Sequence, residues 1–169
     1  VKTPGKKPPR TGPFRRELIG PPDCPILTRW TLLNLGPRVG KLLLHRFLPN
    51  ADDRDVHDHP RPFVTVVLLG GYDDLAPCEV CPGSGWVTPR TSCSACEGRG
   101  VVLREIMRAG MVRRRPAEHR HRTRVHETGC TTLVWMGPLR RPWGFWRRGR
   151  WWPWREYEER FGFGMRCDD

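Results

Sequence analysis

The sequence predicts an all-β domain: a β-sandwich closed into a barrel, with a small cysteine-rich insertion and an extended basic N-terminal arm. Three observations carry this prediction. Short apolar runs recur between turn residues: Ile26 to Leu33, Val39 to Leu48, Phe63 to Leu69, Val101 to Met107, His121 to His126 and Thr132 to Met136. Many short strands bounded by Gly, Pro, Asn and Asp belong to sandwiches and barrels. No stretch sustains a 3.6-residue apolar period over three turns, which excludes a helical bundle or a coiled coil. Finally, 18 Gly and 18 Pro in 169 residues suit a turn-rich chain, and eight Trp, six Phe and two Tyr supply the packing area that a 37% hydrophobic content otherwise lacks.

Taken in order, residues 1–22 carry six Lys or Arg, one Glu and six Pro, with no apolar period. Such a segment contributes no core and reads as an extended arm, either a solvated tail or an arm that docks on an acidic partner such as nucleic acid or a virion surface. The barrel is expected over 23–76 and 101–160. Trp143 to Tyr157 is an aromatic stretch, and one short helix fits Trp154 to Phe161. Residues 161–169 read as a tail. The strand pattern stops at Ala76 and resumes at Val101, which marks 77–100 as a module inserted in a barrel loop, where insertions are best tolerated.

That module states one phrase twice: Cys78-Glu-Val-Cys81-Pro-Gly83-Ser-Gly85 and Cys93-Ser-Ala-Cys96-Glu-Gly98-Arg-Gly100, with eleven residues between Cys81 and Cys93. Two residues between cysteines let both thiolates reach one ion, and the glycines permit the tight turn that aims backbone amides at the sulfurs. Two such knuckles make a closed, zinc-ribbon-like site. Roughly twenty-five residues build no core alone, so metal binding would fold them. The expectation is one structural zinc on Cys78, Cys81, Cys93 and Cys96, with a redox role for the Cys-x-x-Cys pairs as the alternative. The phrase resembles the zinc-binding repeats of DnaJ-type co-chaperones, which carry four copies for two zincs. Two copies suffice for one zinc, nothing here resembles a J-domain, and no chaperone activity is implied. Cys24, Cys130 and Cys167 stand alone and are assigned no role beyond packing.

Four of the six histidines form two His-x-His pairs, His57-Asp58-His59 and His119-Arg120-His121. Residues i and i+2 of a strand share a face, so each pair can turn two imidazoles into a barrel interior. Neutral imidazole is a ligand for Zn, Fe, Ni, Cu and Mn. The first pair leads through Pro60 to Gly70-Gly71-Tyr72, and Pro116 precedes His121 by five residues; this arrangement resembles the cupin superfamily. Leu44-His45-Arg46-Phe47, Met136-Gly137-Pro138 and Trp143-Gly144-Phe145-Trp146 resemble, more narrowly, small cupin-like proteins of phages and prophages, over residues 26 to 157 apart from the insertion. The resemblance implies a cupin-like barrel holding a divalent metal (Fe, Ni, Mn or Zn) on His57, His59 and His121. The acidic ligand of that pattern is missing, because Phe63 and Val64 occupy its places, and Glu118 stands where a glycine is usual. His119 is then an optional fourth ligand or a partner behind the other three. A barrel that has lost its metal, with histidines that only hydrogen-bond, is the competing reading. His45 is expected to be a satisfied core histidine, and His126 a strand-end residue with no assigned function.

The formal charge is +12 and the sequence pI about 10.3. From Arg140 to Arg160, Trp and Arg interleave, a mixture that can stack bases and hold phosphates, although Trp also fits a barrel wall. No run approaches the roughly 18 apolar residues of a membrane span. The N-terminus shows no apolar core with a small-residue cleavage site, so the expected setting is the cytoplasm of a phage host, or a virion, without a membrane. Two function classes follow. One is a metal-dependent enzyme acting on a small molecule in the barrel, such as an oxygenase or isomerase. The other is a non-catalytic interaction protein that meets a polyanion through its arm and Arg-rich surface.

Overall fold

Two 15-residue strands form the spine of the protein in the computed structural model, which describes residues 14–20, 25–49, 51–163 and 165–166. In chain order the strands are β1 (Arg15–Ile19), β2 (Leu27–Asn34), β3 (Lys41–Phe47), β4 (Asp52–Asp53), β5 (Val56–His57), β6 (Phe63–Pro77), β7 (Trp86–Thr88) and β8 (Thr91–Ser92). They continue as β9 (Val101–Arg108), β10 (Val112–Arg115), β11 (Arg122–Met136), β12 (Gly144–Arg147), β13 (Arg150–Pro153), the helix α1 (Trp154–Phe161) and β14 (Met165–Arg166). All pairings are antiparallel. In the larger sheet β11 lies between β3 and β6, β2 and β1 extend it beyond β3, and β9 and β10 share the far edge of β6. A smaller sheet, β13-β12-β5, joins it where His57 and His121 exchange backbone hydrogen bonds of 2.8 and 3.0 Å.

Alternation decides which side chains enter the interior. Along β3, Leu43 is fully buried, and Lys41, His45 and Phe47 on the same face line a cavity; on β6 the inward series is Phe63, Thr65 and Val67. Full burial of Leu43 contributes about 2 kcal/mol. Val67, Tyr72, Met107 and Val125 pack with Ile26 and Cys130 into one core cluster, and Leu43, Phe63 and Val134 into a second.

The apolar runs His121 to His126 and Thr132 to Met136 belong to one strand. Its register with β6 shifts between Val125 and Cys130, where Gly129 has φ +74° and a Cβ on Gly70 would meet the Gly129 carbonyl oxygen at 1.9 Å. Strand β6 runs on past Leu69 to Pro77, opposite Val101 of β9, so the inserted module is the loop of the β6–β9 hairpin. Trp154 to Phe161 is helical, and the Trp-rich stretch before it is the β12–β13 hairpin.

The arm is corrected in part. Residues 1–13, 21 and 22 of the expected segment, like Cys24 and Cys167, lie outside the described residues. Arg15–Ile19, however, is the edge strand β1, held in register along β2 because Glu17 and Ile19 alternate toward the interior. Within the expected tail, Met165–Arg166 pairs with β4. Among the described residues no helix is long and apolar enough to cross a membrane.

Candidate metal centres

The two cysteine phrases fold as near copies of one another. Gly85 N–H donates to Cys81 Sγ (3.3 Å), and Gly100 N–H donates to Cys96 Sγ (3.2 Å). The copies also close on each other: Cys93 N–H reaches the Gly85 carbonyl (2.8 Å), and Cys78 N–H the Gly100 carbonyl (2.9 Å). Glycine is required at both contacts, since a Cβ on Gly85 would meet the Gly98 carbonyl oxygen at 2.2 Å and one on Gly100 the Gly83 oxygen at 2.4 Å. All four sulfurs lie within 4.8 Å of one another, with Cys78–Cys93 at 3.9 Å and Cys81–Cys96 at 3.7 Å. A tetrahedral ion with metal–sulfur bonds of about 2.3 Å sets its sulfurs ~3.8 Å apart. The group therefore fits a four-coordinate thiolate site. Backbone donation from Gly85, working against burial, lowers the Cys81 thiol to about 7. Cys130 lies elsewhere in the core, and burial raises its thiol to about 11, as expected of an inert packing residue.

The barrel histidines converge as well. His57, His59 and His121 offer nitrogens within 4.8 Å of one another, and His59 Nε2 lies 3.0 Å from His121 Nε2. Two nitrogen ligands at about 2.1 Å and a right angle would stand ~3.0 Å apart. Burial lowers His121 to about 4 and holds His59 well below the usual histidine range, so both are neutral at pH 7 and present lone pairs. Behind them stand two buried carboxylates. Asp74 Oδ1 is 3.3 Å from His121 Nδ1, and Asp53 Oδ2 is 3.4 Å from His57 Nδ1. Neither Nδ1 is aligned to complete its bond, which leaves both as orphaned buried polar atoms. Ring rotation toward the carboxylates would satisfy them and aim the opposite nitrogens at a common centre.

His119 departs from the expected pair. Residues 116–119 turn, with His119 N–H donating to the Pro116 carbonyl (3.2 Å), so His119 is not on a strand. Its imidazole meets Asp74 Oδ2 at 3.2 Å and Arg104 Nη1 at 3.2 Å. It groups with Asp74 and His121 rather than with His57 and His59. It thus occupies the position behind a ligand, not that of a fourth ligand on the three-histidine group. Asp58 faces away from the cluster, fully buried, and accepts from Gly144 N–H (2.8 Å), Arg141 (2.9 Å) and Trp151 Nε1 (3.1 Å). His45 is a core residue as expected, its Nε2 accepting from Arg29 Nε at 3.1 Å while its Nδ1 has no partner among the described residues, and His126 meets Asp73 at 2.9 Å.

Sequence reasoning missed Asp53 and Asp74. Asp53 stands four residues before His57, in a local pair that the His-x-His spacing did not point to, and the pairing of β6 with β11 brings Asp74 to His121. Several of the interleaved arginines are engaged within the chain: Arg147 lies 4.9 Å from the Phe161 ring centroid, Arg150 4.2 Å from Trp152 and Arg155 5.1 Å from Trp154.

No protein-family model matches the chain, and no curated protein matches it. Similarity is found among solved structures. An RmlC-like cupin from Shewanella frigidimarina is 18% identical, over 75% of this chain and 86% of its own, with a TM-score of 0.48. The polyketide cyclase RemF from Streptomyces resistomycificus is 20% identical, over 77% and 78%, at 0.49. Bacillus subtilis oxalate decarboxylase is 13% identical over 75% of this chain, at 0.49, and the match spans only 28% of the decarboxylase.

Proposed function

We propose that the barrel is a small-molecule site built around one divalent metal ion (Fe, Ni, Mn or Zn) on His57, His59 and His121, and that the inserted module holds one structural zinc on Cys78, Cys81, Cys93 and Cys96. The observation that carries the barrel site is the convergence of three imidazoles, two of them held neutral, at the wall of a cavity of about 480 Å³. Three protein ligands leave coordination positions open, and an ion there would supply Lewis-acid or oxygen chemistry to a bound molecule. Asp74 and Asp53 would fix the rings of His121 and His57, and His119 with Arg104 and Arg115 would hold Asp74 in place. The four-thiolate module has no open position and serves folding.

Elemental analysis tests both sites. Wild type is expected to carry one zinc plus one further divalent ion per chain. C81S/C96S should lose the zinc alone, and H57A/H59A the barrel ion alone. An H57A/H59A protein with the metal content of wild type overturns the barrel site; zinc retained by C81S/C96S overturns the module.

A second reading, a non-catalytic protein of a phage or prophage that contacts nucleic acid or a virion surface, is supported by the net charge of +12 and the four Lys or Arg within residues 1–13. Each phosphate neutralised steepens the salt dependence of duplex binding by close to one unit of log–log slope. Removing residues 1–13 should therefore flatten the salt dependence of DNA retention; an unchanged slope removes the arm from this role.

A further inference from the structure

We infer that the wall of the barrel cavity formed by Arg29, Lys41, His45 and Thr132 on strands β2, β3 and β11 is a carboxylate-binding subsite, so that the molecule taken by the barrel is a small organic acid. The inference deepens the proposed function by naming the substrate class, and it rests on that reading only for the metal. It begins with register. Glu17, Arg29, His45, Thr132 and Val67 stand directly opposite one another on five adjacent strands, β1, β2, β3, β11 and β6. Directly opposed residues share a face, and Arg29, His45 and Thr132 all line the cavity, as does Lys41, four residues before His45 on the same face of β3.

The donors of this row lack acceptors. Arg29 spends its Nε–H on His45 Nε2 (3.1 Å), which fixes the imidazole proton on Nδ1. Burial holds His45 well below the usual histidine range, and the neighbouring charges of Arg29 and Lys41 push it the same way, so the ring is a neutral donor. Among the described residues, neither His45 Nδ1 nor Lys41 Nζ has a hydrogen-bond partner, and Arg29 and Lys41 form no ion pair. Glu17 is the facing carboxylate, and it pairs with Arg15 at 2.8 Å instead. Thr132, 1% exposed, holds an Oγ1 with no partner. The basic groups are accordingly pushed down: Arg29 and Lys41 both sit below their ordinary values because burial disfavours their charge.

Two half-buried cations, a neutral N–H and the orphaned Thr132 hydroxyl gather donors on one wall of a cavity whose lining elsewhere holds the carboxylates of Asp53 and Glu158. An uncompensated buried donor is costly, and a charged one more so. A carboxylate supplies the missing acceptors and charge together, and a guanidinium offers it paired N–H groups. The neutral imidazoles of His59 and His121 line the same cavity, so an acid held here by its carboxylate extends its remaining atoms into a space that the proposed metal borders. A cavity of about 480 Å³ admits a small metabolite-sized acid and excludes nucleic acid and peptide chains.

Acetate is the smallest probe of such a subsite and needs no knowledge of the rest of the ligand. Its binding to the full chain is followed by thermal shift and NMR line broadening, against chloride at equal ionic strength and against neutral acetamide. Wild type is expected to bind acetate with a Kd on the order of millimolar, and acetamide far more weakly. R29M should weaken acetate at least tenfold, and K41M and T132V should each weaken it measurably; two of the three variants keep the backbone pairings intact if one fails to fold. H57A/H59A separates the two ideas, because it removes the barrel metal and should leave acetate binding within a few-fold of wild type. Overturning results are no acetate binding by wild type, equal binding by R29M and K41M, or inorganic phosphate bound more tightly than acetate, which would reassign the subsite to a phosphoryl group.

Discussion

His45 shows how one proton can be fixed by one neighbour. Its Nε2 accepts from Arg29, so protonating that atom would both break the hydrogen bond and set a second cation beside the guanidinium. The folded-state value is depressed, and the unfolded chain takes up the proton first. Stability from this residue is therefore complete above about pH 6.5 and is lost as pH falls below it. Denaturant midpoints at pH 7 and pH 5 should show a smaller acid loss for H45Q than for wild type. Asp74 invites a second measurement. Burial works against its charge, but the His119 hydrogen bond and the close approach of the His121 imidazole hold its carboxyl well below the usual carboxylate range, at the back of a proposed ligand. Replacing it by Asn should weaken barrel-metal affinity by about 10- to 100-fold, read by competition with a chelator, while leaving the cysteine-bound zinc in place. At this scale the four cysteines were legible because a knuckle converts short spacing into proximity; His57, His59 and His121 converge as well, although His59 and His119 both lie outside the strands. Asp74 and Thr132 were not legible, because cross-strand register between distant segments brings Asp74 to His121 and Thr132 to the cavity.

At the scale of elements, β1 separates two predictions that composition alone merges. The charge and proline content of residues 1–22 reads as an arm throughout, yet Arg15–Ile19 pairs along β2 and sets Ile19 at the cavity. Deleting residues 1–13 should leave the thermal midpoint nearly unchanged. Deleting residues 1–20 strips the edge from β2, uncovers Arg29 and should lower the midpoint by several degrees, about what the loss of 1–2 kcal/mol produces in a domain of this size. Strand existence followed well from apolar runs, and the inserted module from the break in their pattern. Strand length did not. The apolar run that marks this strand ends at Leu69, but β6 continues through Asp73 and Asp74, whose carboxylates meet Arg124 of β11 at 2.5 Å and Arg115 of β10 at 3.0 Å.

For the molecule as a whole, the β-sandwich closed into a barrel was visible in the alternation of apolar runs with turns, whereas the junction between its two sheets was not. It depends on the single bridge between His57 and His121, residues that sequence reading valued only for their chemistry. The 30 Lys and Arg are likewise less available one by one than their number implies, since Arg113, Arg115, Arg122, Arg124, Arg141 and Arg147 are all paired with carboxylates, although such pairing leaves the net charge of +12 unchanged.

The hairpin that carries the cysteine module has a consequence for the order of assembly. Strands β6 and β9 must find each other across the 23 residues 78–100, while β3 must find β11 across a far longer stretch. Each doubling of a loop adds about 0.6 kcal/mol to the entropy of closing it. One ion on four thiolates reduces the gap between Pro77 and Val101 to little more than a tight turn, about three doublings shorter, or ~2 kcal/mol. The metallated hairpin then becomes the fastest long-range contact available to the unfolded chain and a template on which β11 can dock. Stopped-flow refolding should accelerate by roughly tenfold or more when zinc is added before dilution from denaturant, through the closure term alone. Zinc added after the barrel has formed should change the unfolding rate and leave the refolding rate as it was.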